Sequence, residues 1–231
     1  MGGLQYLALS TRPDIAHAVN VVSRFAHKPE QQHWQAVKRI LRYLAGTRNV
    51  GIFYKRTKGG KSNDQPLLYG YADADWGGDT DGRRSTTGYV FMVGTGPVSW
   101  RSKLQHTVAL STAEAEYLAA GDAAQEVMWL RAVLDELNLR QDEPTVIFED
   151  NQGCIAMTIK PGQHQRTKHI DIRHHFIKEL VEKKEIVLKY LPTERMVADI
   201  FTKALSKIRY TALRDALLNT TSLSSGSVGV L

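Results

Sequence analysis

The stretch 67–76, LLYGYADADW, most constrains what this chain can fold into, because an apolar and aromatic strand pattern runs directly into carboxylates. Alternate residues of a strand point to opposite faces, so Tyr69, Tyr71 and Asp73 share a face and the row ends in an acid. Two readings of that acid stand side by side. In one, Asp73 and Asp75 simply open a turn, since Gly77, Gly78, Asp79, Asp81 and Gly82 follow. In the other, the strand delivers an acid to a site that later acidic segments complete.

Before this stretch the pattern is helical. Thr11, Pro13 and Asp14 form a helix start, and Ile15, Ala18, Val19, Val22 and Phe25 recur at helical spacing to about residue 26. Pro29 restarts the pattern, and Trp34, Val37, Leu41 and Leu44 line a second helix that Gly46 ends. Residues 1–56 are therefore expected to form a small helical hairpin, closed by a short strand at 51–54 and loosely joined through a linker at 57–66.

After it the pattern alternates. Strands are expected at 88–93 and 98–102, joined by a tight turn at 94–97, and with the first strand they make an antiparallel meander. Ser111 or Thr112 caps a long helix to about residue 137, and 145–149 (TVIFE) reads as a strand parallel to the first. Helices from 151 and over 170–183, a strand over 185–191 and a helix over 194–205 complete an α/β domain spanning 67–218. The tail 219–231 has the composition of a disordered segment.

Composition narrows the function classes. The 231 residues are 42% hydrophobic and 23% charged, as in a globular protein, and the formal charge of +6 suits a polyanionic partner. One cysteine, Cys154, excludes an intramolecular disulfide and a CxxC zinc site, and it is expected to be buried. There is no apolar run of about 18 residues and no basic leader, so a reducing cytoplasmic or nuclear setting with no membrane partner is expected. Trp76, Trp100 and Trp129 are expected in the core.

Four carboxylates are candidates for one centre. Asp73 and Asp150 end the first and the parallel strand, Glu116 lies in the first turns of the long helix, and Asp199 lies on the last. Open α/β sheets place active groups at the carboxyl ends of strands. Four clustered anions require cations, and oxygen donors suit Mg2+ or Mn2+. Two such ions about 3.5–4 Å apart activate a water and stabilise a leaving oxygen in phosphodiester cleavage.

Several separated motifs carry a family resemblance: GYADADWGGD, STTGYVFMV, VSWRSK, LSTAEAEYLAA, EDNQGCIAM, RTKHIDIRHHFIKE and LPTERMVADIFTKAL. In this order they resemble the ribonuclease H domain of copia-type retrotransposon polyproteins. YLALSTRPDIAHAV and HWQAVKRILRYLAGT resemble the thumb-like end of the preceding reverse transcriptase, so the likeness covers residues 3–218. It implies an α/β, RNase H-like mixed five-stranded sheet flanked by helices, with two divalent ions and cleavage of the RNA strand of an RNA–DNA hybrid. It implies the remaining polyprotein domains as further partners. Matched residue by residue, the family's acids fall on Asp73, with Asp75 of the same parity as a substitute, on Glu116 rather than Glu114, on Asp150 rather than Glu149, and on Asp199. In that scheme Asp73 and Asp150 hold the metals, Glu116 completes one site and Asp199 the other. The histidine that many cellular ribonucleases H carry before the last acid is missing from LPTERMV, and no paired-aspartate polymerase motif occurs, so DNA synthesis is not expected.

Other residues fit a nucleic-acid backbone or a different role. Arg166, Lys168 and Arg173, beside His164, His169, His174 and His175, form a basic rim suited to phosphates, whereas the absence of cysteine support argues against zinc there. Arg39, Ile40, Leu41 and Arg42 spell RxLR, the tetrapeptide of translocated pathogen effectors, inside an amphipathic helix pattern. The alternative it raises is a co-opted non-catalytic protein, either a nucleic-acid-binding module or an effector secreted into host cells that binds a host target.

Overall fold

The computed structural model describes residues 1–55, 68–159 and 168–220. The expected linker 57–66 and the tail beyond residue 220 lie outside the described residues. Five strands form one mixed sheet: β1 Leu68–Asp75, β2 Thr86–Val93, β3 Gly96–Leu104, β4 Thr145–Glu149 and β5 Ile186–Tyr190. Their order is β3-β2-β1-β4-β5. The first three pair antiparallel, β1 to β2 through a loop over 76–85 and β2 to β3 through a tight turn, and β4 and β5 add in parallel. Gly77 and Gly94, at φ 64° and 61°, supply the left-handed backbone that these turns need. The helix α4, Thr112–Glu136, provides the crossover that a parallel β1–β4 pair requires.

Strand parity divides the core into two. Leu68, Ala72, Phe91 and Ile147 pack against α4 through Tyr117, Ala120, Ala124 and Val127, and against α6 (Lys168–Glu182) through Ile177 and Leu180. Cys154, on α5 (Gln152–Ile159), is buried in the same cluster. Tyr69, Tyr71, Val90 and Met92 face the other way. That second face is covered by the N-terminal helices α1 (Gly2–Ser10), α2 (Ala16–Ser23) and α3 (Gln31–Gly46), and by α7 (Lys207–Leu218).

The N-terminal segment is thus part of the core rather than a loosely attached hairpin. The reason lies in β2, buried along nearly its whole length on both faces, so its outer apolar row needs a cover. Polar contacts fix that cover: Trp100 Nε1 donates to Ala8 O at 2.7 Å and Tyr210 OH donates to Asp14 O at 3.0 Å. Other expectations are corrected in detail. A 3-10 turn, Pro13–Ile15, precedes a shorter α2, and α1 was hidden by two glycines and a weakly amphipathic sequence. Residues 51–54 form no strand; Phe53 N instead donates to Leu218 O at 3.0 Å. The single helix expected over 194–205 is two 3-10 turns, Thr193–Arg195 and Val197–Phe201, followed by the unanticipated α7. Met196, extended at φ −70° and ψ 99°, interrupts the helix. Trp76 and Trp129 are exposed at 49% and 60%, while Trp100 packs on the second cluster.

Asp14 ties this cover together. Its carboxylate accepts from Arg12 Nε and Nη2 at 2.9 and 2.8 Å and from Tyr43 OH at 2.6 Å, and Arg12 Nη2 also reaches Thr47 Oγ1 at 2.8 Å. Removing one partner strands a buried charge. Asp14→Ala is expected to destabilise the protein by about 3 kcal/mol, measured by urea unfolding. Arg140→Ala, in the exposed pair with Asp142, should cost less than about 1 kcal/mol.

Candidate active site

The site forms where β1 and β4 end side by side and the first turns of α4 cross them. Asp73, 1% exposed, belongs to the face of the second cluster. Its ladder partner is Gly88. A Cβ there would lie 2.6 Å from Thr202 Cγ2, 2.7 Å from Phe201 Cβ and 3.1 Å from Ala198 O. Because glycine has no Cβ, the turn Val197–Phe201 can lie directly on β2 and bring Asp199, Thr202 and Lys203 to Asp73. The Thr202 hydroxyl donates to Asp73 Oδ2. Lys203 Nζ lies 3.5 Å from the same oxygen and 2.7 Å from Asp199 Oδ1, and Arg209 pairs with Asp199 Oδ2.

Glu116 enters from the first turns of α4. Ser111 Oγ caps the helix by accepting from Glu114 N at 3.2 Å, and the Glu114 carboxylate accepts from Leu110 N at 2.9 Å. Glu114 is thereby committed to the helix end, while Glu116 is 3% exposed and faces the sheet. Asp150, one residue past β4, accepts from Thr193 Oγ1 at 2.7 Å. Asp73, Glu116 and Asp150 each offer a carboxylate oxygen, and these three atoms lie within 4.8 Å of one another. Glu116 Oε2 is buried and accepts no hydrogen bond among the described residues. A hard cation with oxygen ligands fits this donor set.

The electrostatics follow from burial. Asp73 is pushed up to about 7, first by desolvation and then by opposed contributions from Lys203, which lowers it, and Asp199, which raises it. Glu116 is raised by desolvation and next by the charge of Glu149, ahead of Asp73 and Asp150. Glu149 was set aside on strand parity. It shares the face of Ile147 under α4, is fully buried, and its Oε2 accepts no hydrogen bond among the described residues. Sequence reasoning therefore missed a fifth acid; its parity with Ile147, rather than with Asp150, was the available signal. It also missed Lys203 and Thr202, which approach only because Gly88 lets them. Asp199 is fully buried and stands beside Asp73 through Thr202 and Lys203, outside the three-carboxylate group.

Of the basic rim, Arg166 and the side chains of Lys168 and Arg173 lie outside the described residues, as do those of His164, His169 and His174. Arg39, Ile40, Leu41 and Arg42 lie on α3, with Ile40 buried in the second cluster and the other three exposed.

No protein-family model matches the chain. Over 210 residues, 91% of this chain, it is 45% identical to the retrovirus-related Pol polyprotein from transposon TNT 1-94 of Nicotiana tabacum. Most of the chain is thus homologous to a segment of retrovirus-related Pol polyproteins of plant transposons. It spans 15% of the length of that relative. It is also 52% identical over 130 residues to secreted RxLR effector protein 161 of Plasmopara viticola, covering 56% of this chain and 87% of that protein. The mixed five-stranded sheet with its flanking helices has the strand number and mixed pairing expected from the sequence. Among solved structures, LC11-RNase H1 in complex with an RNA/DNA hybrid aligns with 58% of this Pol segment and 93% of that chain, at a TM-score of 0.44 and 14% identity.

Stability should report the state of these acids. Native Asp73, Glu116 and Glu149 hold protons at pH values where the unfolded chain has released them, so stability contributed by protonation is present below about pH 4 and declines as pH rises. His17 acts in the opposite sense, because burial, reinforced by the Arg24 charge, lowers it to about 4 and stability is lost as pH falls through that window. Without divalent ions, Glu116→Gln is expected to flatten the decline between pH 5.5 and 8.5 by about 1–3 kcal/mol relative to the parent chain. Urea unfolding in chelator at both pH values measures the difference; an unchanged slope would refute the assignment.

Proposed function

We propose that this Pol segment is a divalent-metal-dependent endonuclease that cuts the RNA strand of RNA–DNA hybrids. The observation that carries the reading is the convergence of Asp73, Glu116 and Asp150 within 4.8 Å, with Glu116 Oε2 left without a hydrogen-bond donor among the described residues. Asp73, Glu116 and Asp150 would hold Mg2+ or Mn2+. When bound, the ion supplies Lewis-acid stabilisation of the phosphodiester and lowers the pKa of a water.

The chain's own residues set up that chemistry. Thr202 fixes the rotamer of Asp73, Thr193 does the same for Asp150, and the Ser111 cap holds the α4 turn that carries Glu116. Lys203 and Arg209 balance Asp199. Burial of Asp73 and Glu116 keeps solvent from competing for their oxygens. The formal charge of +6 favours a polyanion, and Arg166, Lys168 and Arg173 are the proposed contacts to its backbone. The remaining domains of the polyprotein are further proposed partners. No helix among the described residues is long and apolar enough to cross a membrane, and a cytoplasmic or nuclear setting accords with this reading.

A second reading rests on the effector relative, most of whose length this chain matches, and on the exposure of Arg39, Leu41 and Arg42 on α3. In it the fold is retained for binding alone, to nucleic acid or to a host target after secretion.

Cleavage of an end-labelled RNA–DNA hybrid separates the two. The purified chain is expected to cut the RNA strand in Mg2+ or Mn2+ and to stop in chelator. Asp73→Asn and Asp150→Asn should each lose at least about 100-fold in rate. A folded protein that binds the hybrid and never cuts it would overturn the nuclease reading in favour of binding, and export of a tagged chain would then support the effector form.

A further inference from the structure

The resemblance to retrotransposon RNases H implies two divalent ions, the second completed by Asp199. The structure shows a different occupant beside that acid. Lys203 Nζ sits 2.7 Å from Asp199 Oδ1 and 3.5 Å from Asp73 Oδ2, so one ammonium spans the two carboxylates that a second ion would share. Both Asp199 oxygens face cations: Oδ2 faces Arg209, and Oδ1 faces Lys203 through an ion pair without an aligned hydrogen bond, so the charge of Lys203 is what occupies the space beside it. Asp73 Oδ2 is further engaged by the Thr202 hydroxyl. The three remaining carboxylate ligands, from Asp73, Glu116 and Asp150, form a separate group that excludes Asp199.

We propose that Lys203 is a resident cation of the site, holding the place between Asp73 and Asp199, so that the protein loads one divalent ion on Asp73, Glu116 and Asp150 rather than two. This rests on the nuclease reading above and goes beyond it. The physical case is local charge. An ammonium fixed between two acids by an i,i+4 contact along its own segment lowers their repulsion without an ion, and its positive charge opposes a divalent cation entering the same space. Its side chain is 31% exposed, so it is anchored at the edge of the buried cluster and reaches inward. Lys203 is thus a positioning residue: it fixes Asp73 and Asp199 and sets how many metals the cluster accepts.

Counting ions tests the proposal. Mn2+ binding to the full chain, followed by isothermal titration and by electron paramagnetic resonance of free Mn2+, should give one tight site in the parent and in Lys203→Arg, which keeps the charge. Lys203→Met should gain a second site, at least tenfold tighter than any residual second event in the parent. Circular dichroism checks folding, and Lys203→Gln replaces the methionine variant if that one fails to fold. Two tight sites in the parent or in Lys203→Arg would overturn the proposal, as would a single site in the neutral variants. Hybrid cleavage measured on the same samples distinguishes the failures. A parent that binds two ions and cuts leaves the nuclease intact and removes only the role of Lys203, whereas a parent that binds none and does not cut removes both.

Discussion

Burying several like-charged carboxylates at one end of a sheet is costly, and the structure is arranged around meeting that cost. Asp73, Glu116, Glu149 and Asp199 are all almost fully excluded from solvent. Left to themselves such groups neutralise or repel. Here the compensation comes from different parts of the chain: a hydroxyl from Thr202, a backbone N–H, a lysine, an arginine and a capped helix start. None of these groups is adjacent in sequence to the acid it serves; the nearest is Asn151, two residues past Glu149, which accepts its N–H. The fold is what gathers them.

That division explains what could be read from the sequence. Asp73 and Asp150 were legible because strand periodicity and the carboxyl-end rule depend only on neighbouring residues and on the parallel pairing that a crossover helix imposes. Glu116 was placed in the first turns of α4 by the cap and the helical pattern, but its choice over Glu114 came from the family resemblance; the contact that draws Glu114 to the helix end is visible only in the structure. The five-stranded sheet followed from the same local signals. Lys203, Thr202 and Glu149 were not legible. The first two depend on a contact between segments more than a hundred residues apart, and Glu149 was judged by parity alone, although a buried strand can place acids on both of its faces. The last helix was misplaced for a related reason: its apolar residues suit a 3-10 turn lying on β2 as well as they suit an α-helix.

The N-terminal residues show the same logic at the level of the whole molecule. Read as helices they suggested an appendage, because their apolar faces gave no sign of what they would cover. The sheet supplies the answer, since β2 presents an apolar row on each side, and α1, α2 and α3 bury one of them with α7. The segment that resembles the end of a reverse transcriptase and the segment that resembles a ribonuclease H therefore share one hydrophobic cluster, and the Asp14 network connects them from α3 to α7.

Gly88 carries a consequence of its own. It holds no charge and offers no ligand, yet the Asp199, Thr202 and Lys203 side of the centre reaches Asp73 only across the space its missing side chain leaves. One added methyl group would collide with Phe201 and Thr202 and lift that side away, while every acidic residue stayed in the sequence. An intact set of carboxylates is therefore an incomplete signature of the assembled centre in this chain; the glycine opposite the first acid is a silent switch that an inventory of charged residues would pass over.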